Sequence, residues 1–211
     1  MIETALSELL SDIRNLQIVR SSLEPLVDGL GINRVIETLT PTPVTKLTLR
    51  RANSADVLSY FSWVNDPMVR SMALKTEPIN LNTHLAWFEK RLSDANTFLY
   101  ILEARGLPVG QVRFECHNEE AIIDYSLDEF VRGRGWANKL LRLGIAAFIS
   151  HKQIQLKATV KQSNITSSAT FIGLGFIEQK VSKEDENRHF QLSIQALKIE
   201  ASKSEKGIRH E

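Results

Sequence analysis

Apolar and polar residues alternate along Leu47-Thr48-Leu49-Arg50, and that two-residue period predicts a strand. Similar patterns predict a strand over Thr97–Glu103 and a hairpin of Val109–Cys116 with Ala121–Leu127, turning at His117-Asn118-Glu119-Glu120. Arg105-Gly106-Leu107-Pro108 reads as a turn. Apolar residues three and four apart predict helices over Ala55–Trp63, capped by Asn53 or Ser54, and over Asn82–Leu92. A glycine-rich turn follows the hairpin. Then come an amphipathic helix from Asn138 to Phe148, a strand over Ile154–Val160, a helix over 166–173, and strands near Phe176–Val181 and His189–Ile194.

The first forty residues carry a different pattern. Ile2, Leu6, Leu9, Leu10 and Ile13 have helical spacing, and Ile32 to Leu39 can form a second short helix. Thr40-Pro41-Thr42-Pro43 is a stiff extended linker, because each proline restricts itself and its predecessor. The expected organisation is a helical appendage with linker over 1–43, one α/β domain over 44–197, and a charged, frayed tail over 198–211.

The hairpin pattern also predicts a register. Pairing across 117–120 puts Gln111, Arg113 and Glu115 on one face with Ser126, Asp124 and Ile122. Val112, Phe114, Cys116, Ile123 and Tyr125 take the other face.

Arg132-Gly133-Arg134-Gly135-Trp136-Ala137 joins strand to helix. Such a turn points several backbone N–H groups at one spot, and the helix N-terminus adds partial positive charge. A pyrophosphate ligand is expected there. A dinucleotide fingerprint would need glycine at position 138, which is Asn, and the Gly-Lys-Ser/Thr of a phosphate-binding loop is missing.

Net charge is +1, so no broad field selects nucleic acid or anionic lipid. The single cysteine, Cys116, excludes an internal disulfide and suits a reducing compartment. No apolar run reaches the roughly 20 residues of a membrane span. No secretory leader pattern opens the chain, so a soluble, cytoplasmic protein is expected. The five histidines lack ligand spacing, and no metal is expected.

Arg132, Gly135 and Ala137 satisfy Gln/Arg-x-x-Gly-x-Gly/Ala. A second segment follows the 154–160 strand: Asn164-Ile165-Thr166-Ser167, then Phe171 seven residues after the Asn, then Gly175-Phe176. Together these resemble the GNAT superfamily of N-acetyltransferases. The resemblance implies an α/β fold with a mixed, mostly antiparallel sheet, a splayed parallel strand pair and helices on both faces. It implies acetyl-CoA as cosubstrate, contacted by Tyr125, Leu127, Arg132, Gly133, Arg134, Gly135, Trp136, Ala137, Asn164, Ser167 and Phe171. Asn164 also suits a helix N-cap, and both roles can hold.

The attacking amine must lose a proton, and Glu115 and Asp124 are the candidate catalytic bases. The alternative is a cross-strand ion pair of Arg113 with Asp124 and no catalytic duty. Many relatives protonate the leaving thiolate with a tyrosine where this chain has Phe171, which cannot donate. Ser168, a water, or unaided departure remain.

Trp63-Val64-Asn65-Asp66-Pro67-Met68-Val69-Arg70, His84-Leu85-Ala86-Trp87-Phe88 and Gly110-Gln111-Val112-Arg113-Phe114 are similar to acetyltransferases acting on UDP-linked 4-amino sugars in pseudaminic acid synthesis. That similarity implies Arg70 and His84 on a nucleotide diphosphate and Phe88 stacked on the nucleotide; the alternatives are helix-face core packing for Trp63, Trp87 and Phe88, and plain surface positions for Arg70 and His84. The alternatives are a ribosomal-protein-type N-terminal acetyltransferase, which shares the Trp-x-Asn-Asp element, and a non-catalytic acetyl-CoA-binding domain. Leu26 to Val35 is similar to the end of a nucleotide-sugar hydrolase, implying fusion or association with one.

Overall fold

The computed structural model describes residues 46–180 and 185–193. Its strands are β1 (Leu47–Arg51), β2 (Thr97–Ala104), β3 (Leu107–His117), β4 (Glu120–Leu127), β5 (Gln155–Lys161), β6 (Ile177–Gln179) and β7 (Asn187–Leu192). Its helices are α1 (Val57–Asn65), α2 (Pro67–Met72), α3 (Leu81–Ser93), α4 (Trp136–Ile149) and α5 (Ile165–Gly173). The strands form one sheet in the order β1-β2-β3-β4-β5-β7-β6.

Every pairing is antiparallel except β4 with β5. That parallel pair is short: Glu120, Ala121 and Ile122 oppose Gln155, Leu156 and Lys157. Beyond it the strands part. β4 stays zipped to β3 as far as Gly110 opposite Leu127, while β5 stays zipped to β7 as far as Lys161 opposite Asn187. Each strand's carboxyl half is held by its outer neighbour, so a gap opens in the middle of the sheet.

The hairpin register is the one the alternation predicts: Gln111 faces Ser126, Arg113 faces Asp124, and Glu115 faces Ile122. Helices cover both faces. Val112, Phe114, Leu140, Leu141 and Phe148 belong to the core under α4, where the Phe114 and Phe148 rings stack at 4.4 Å. Tyr60, Trp63, Phe88, Leu99 and Ile101 form a second core on the opposite face. Helix α4 lies so close to β3 that a Cβ built on Gly144 would stand 2.6 Å from Cγ1 of Val112.

Among the described α-helices, α2, α3 and α5 carry side-chain caps at their N-termini. Asp66 accepts from Val69 N–H on α2, Asn80 from Asn82 N–H on α3, and Asn164 from Ser167 N–H on α5. Helix α4 has no such cap, because it starts from Gly135, which has no side chain to offer, and α1 continues directly from the 3-10 turn before it.

Boundaries differ from the pattern-based expectation in several places. The first hairpin turn shrinks to Arg105-Gly106, both at positive φ, so β3 starts at Leu107. The first helix opens as a 3-10 turn, Ser54–Asp56, closed by a reciprocal cap between Asn53 and Asp56. Helix α2 and the 3-10 turn Glu129–Val131 were not expected from the sequence. The expected appendage over 1–43, the hydrolase-like segment within it and the tail over 198–211 lie outside the described residues.

Candidate active site

Strand β4 ends at Leu127, and Asp128 turns the chain by accepting from the N–H of Phe130. Gly133 and Gly135 then take φ of 76° and 73°, a left-handed conformation that costs glycine little. A Cβ at either would meet nothing within 4 Å, so the space beside this backbone is open. Trp136 begins α4, and the N–H groups of Trp136, Ala137 and Asn138 have no intrahelical acceptor. The Arg134 guanidinium lies 5.7 Å from the Trp136 ring centroid. Uncapped donors, open space and a helix dipole together suit an anion.

Arg132 departs from expectation. Its Nε and Nη2 donate to the carbonyl of Leu127 at 3.1 and 3.0 Å, and Nη2 lies 2.9 Å from Asp66. Its side chain therefore folds back onto the end of β4 and the cap of α2, rather than outward as a cation for a polyanion. The Leu127 carbonyl is taken by the same contact.

The gap lies beside this turn. Asp128 N–H donates to the Val109 carbonyl, toward β3. By the strand's alternation, the N–H of Leu127 and both backbone groups of Tyr125 face the other way, into the gap. The Tyr125 hydroxyl reaches Oγ of Ser167 on α5 at 2.9 Å. Phe171 is not at an accessible wall. It is 2% exposed and packs among Tyr125, Phe176 and Phe190, so apolar burial has taken it into the core. Ser168 is buried too and donates to the Asn164 carbonyl.

The two candidate bases have different surroundings. Glu115 lies 2.7 Å from Arg91 and 2.8 Å from Arg113, held between two guanidiniums. Asp124 is 53% exposed at its side chain, accepts from the Gln111 amide at 3.1 Å, and stands 3.8 Å from Arg113. Gln111 is buried, and its Oε1 has no hydrogen-bond partner.

The Trp-x-Asn-Asp element is a brace. Trp63 Nε1 donates to Asp128, and the Asn65 amide both donates to and accepts from the Ile79 backbone. Asp66 caps α2 and holds Arg132. Arg70 is half-buried and donates to the carbonyls of Lys75 and Glu77, pinning the loop before α3. His84 and Phe88 require a correction: at 3% and 2% exposed, they belong to the core. His84 Nε2 bonds the Val57 carbonyl, and its ring lies among Phe61, Trp87 and Phe88. Their spacing of four residues turns both inward on α3, and burial holds the His84 imidazole below its usual range.

Among the described residues, no group of His, Cys, Asp and Glu is arranged to hold a metal ion. No described helix is long and apolar enough to cross a membrane. Cys116 is buried, and burial raises its thiol.

An opened parallel strand pair beside an uncapped, glycine-turned helix defines the acetyltransferase class. The family described as "Acetyltransferase (GNAT) domain" matches residues 46–177. The chain belongs to that family and is an acetyl-CoA-dependent N-acetyltransferase. No curated protein matches the sequence. Solved structures share the fold at low identity. YncA from Salmonella typhimurium, solved with its cofactor acetyl-CoA, is 20% identical with a TM-score of 0.57, covering 71% of this chain and 94% of its own. The ribosomal L7/L12 α-N-protein acetyltransferase RimL, in complex with coenzyme A, is 17% identical with a TM-score of 0.63, covering 72% and 97%. The spermidine/spermine N-acetyltransferase SpeG from Vibrio cholerae is 15% identical with a TM-score of 0.64, covering 75% and 99%.

Proposed function

We propose that the chain moves an acetyl group from acetyl-CoA to the 4-amino group of a UDP-linked amino-deoxy sugar. The observation that carries the acetyl-CoA part is the uncapped N-terminus of α4 beside the opened end of β4 and β5. The coenzyme diphosphate takes the N–H groups after Arg132, and the pantetheine arm lies along the gap, bonded to Tyr125 and Leu127 as an added strand. Gap N–H groups polarise the thioester carbonyl and hold the oxyanion of the tetrahedral intermediate.

The amine arrives on the face of Gln111, Asp124 and Ser126. Gln111 Nε2 donates to Asp124 at 3.1 Å and to Ser126 at 3.3 Å, so its amide orients the Asp124 carboxylate on that face. The nitrogen attacks the acetyl carbon, and Asp124 accepts its proton directly or through one water. Glu115 serves instead to hold Arg91 and Arg113 in place.

For the acceptor, similarity to the sugar-nucleotide enzymes supports the UDP-amino sugar, with Arg70 as its remaining nucleotide contact. The burial of His84 and Phe88 favours a second reading, an N-terminal peptide amine, because no uridine can stack on either ring as placed. Thiol release from acetyl-CoA separates them. Turnover with a UDP-4-amino-4,6-dideoxy sugar is expected; turnover with an N-terminal peptide and none with the sugar would transfer the assignment to the second reading.

A further inference from the structure

Collapse of the tetrahedral intermediate expels a thiolate, and an alkyl thiol holds its proton up to about pH 8.5. Departure is therefore helped by a group that still carries a proton at neutral pH and lies in the gap. Phe171 has no donor and is buried, and Ser168 is buried with its hydroxyl committed to Asn164. Cys116 opposes Ala121, at the closed end of the β4–β5 pair.

Tyr125 is differently placed. It is rooted on β4 where the backbone turns into the gap, and its hydroxyl crosses to Ser167 on α5, the far wall, at 2.9 Å. Its ring is held edge-on to Phe171, with centroids 5.8 Å apart. We propose that Tyr125 is the catalytic acid that protonates the departing sulfur of coenzyme A. The proposal rests on the reading above, in which the pantetheine arm occupies the gap.

The step balances as follows. The C–S bond breaks and its electron pair goes to sulfur. The Oη–H proton of Tyr125 passes to that sulfur, giving neutral coenzyme A thiol. The phenolate then recovers a proton from the Ser167 hydroxyl, which regains one from water. The amine's own proton leaves separately through Asp124, so no oxidant or further reactant is required. Burial raises the Tyr125 phenol above its ordinary value, against the opposing hydrogen bonds from Ser167 and Thr170, so it stays protonated at neutral pH.

The test needs no knowledge of the acceptor. Coenzyme A is bound to the full chain and its thiolate is followed by ultraviolet difference absorbance as pH rises. A phenol donating to the bound sulfur stabilises the thiolate. The bound thiol should therefore ionise about one to two pH units lower in the native chain than in Tyr125→Phe. Identical titration in the native chain and Tyr125→Phe, with coenzyme bound in both, overturns the acid assignment and leaves the coenzyme site standing. Failure of the native chain to bind coenzyme A overturns the site itself. Should Tyr125→Phe not fold, replacing the phenol by its 3-fluoro form keeps the ring and the hydroxyl. The stronger donor should lower the thiol titration further, and an unmoved titration overturns the proposal.

Discussion

The guanidinium of Arg132 stands 2.9 Å from the carboxylate of Asp66, joining the residue before the glycine turn to the cap of α2. At the other end of α2, Lys161 on β5 donates to the Ser71 carbonyl at 2.9 Å. Helix α2 thus runs as a strut from the end of β4 to the end of β5, the two strands that part. The opened sheet leaves backbone groups unzipped, and the strut fixes the distance between its two walls.

The pair should be energetically coupled. Asp66→Ala removes a cap as well as a charge partner, and about 2 kcal/mol of stability should be lost. A double-mutant cycle of Asp66→Ala with Arg132→Ala, measured by urea unfolding, should give a coupling of about 1 kcal/mol. Strict additivity would mean that the contact holds nothing.

The two carboxylates should separate by kind of effect. Asp124→Asn should lower kcat by roughly 10²-fold, the usual range for a lost general base, with little change in urea midpoint. Glu115→Gln should instead lower the urea midpoint, because it leaves Arg91 and Arg113 half-buried beside a neutral amide. Steady-state thiol release and urea unfolding on both variants check this, and the reverse pattern would exchange their roles.

Stability should fall as pH drops below neutrality, partly through His84. Its folded pKa lies below the ordinary 6.5, because burial penalises the cation more than the Val57 carbonyl helps it. Above 6.5 the imidazole is neutral in both states and contributes no slope. Below 6.5 the unfolded chain binds a proton that the folded chain refuses, so stability declines until the folded pKa is passed. Urea midpoints at pH 7.5 and 5 should differ less in His84→Gln than in the native chain. An equal fall in both would remove His84 from the effect.

Gly144→Ala should cost about 1–3 kcal/mol, since its methyl would meet Val112 at 2.6 Å between a helix and a central strand. Thermal unfolding checks it, and an unchanged midpoint would show that α4 can lift from the sheet.

The periodic parts of this structure were legible in the sequence. Gln111, Arg113 and Glu115 alternate with Val112, Phe114 and Cys116, so a one-residue slip would bury the charges, and the register follows. The glycine turn is local chemistry and was equally plain. Helix α2 was hidden because six residues carry no apolar stripe; Asp66 as cap with Pro67 at the first helical position was the signal available. His84 and Phe88 looked like ligand contacts, yet four-residue spacing also describes the inward stripe of a helix. Tyr125 could be placed on a face by alternation, but its meeting with Ser167 joins residues 42 apart in sequence and needs the fold.

Calorimetric titration of coenzyme A into the native chain and into Gly135→Asp probes the placement of the diphosphate. Asp tolerates the left-handed conformation better than most residues and is a favoured N-cap, so the variant should keep its fold by circular dichroism. Its carboxylate would occupy the open space beside the turn, satisfy the helix donors and repel the diphosphate. The native chain should bind and the folded variant should show no measurable binding; equal affinity in both would move the coenzyme away from residues 133–137 altogether.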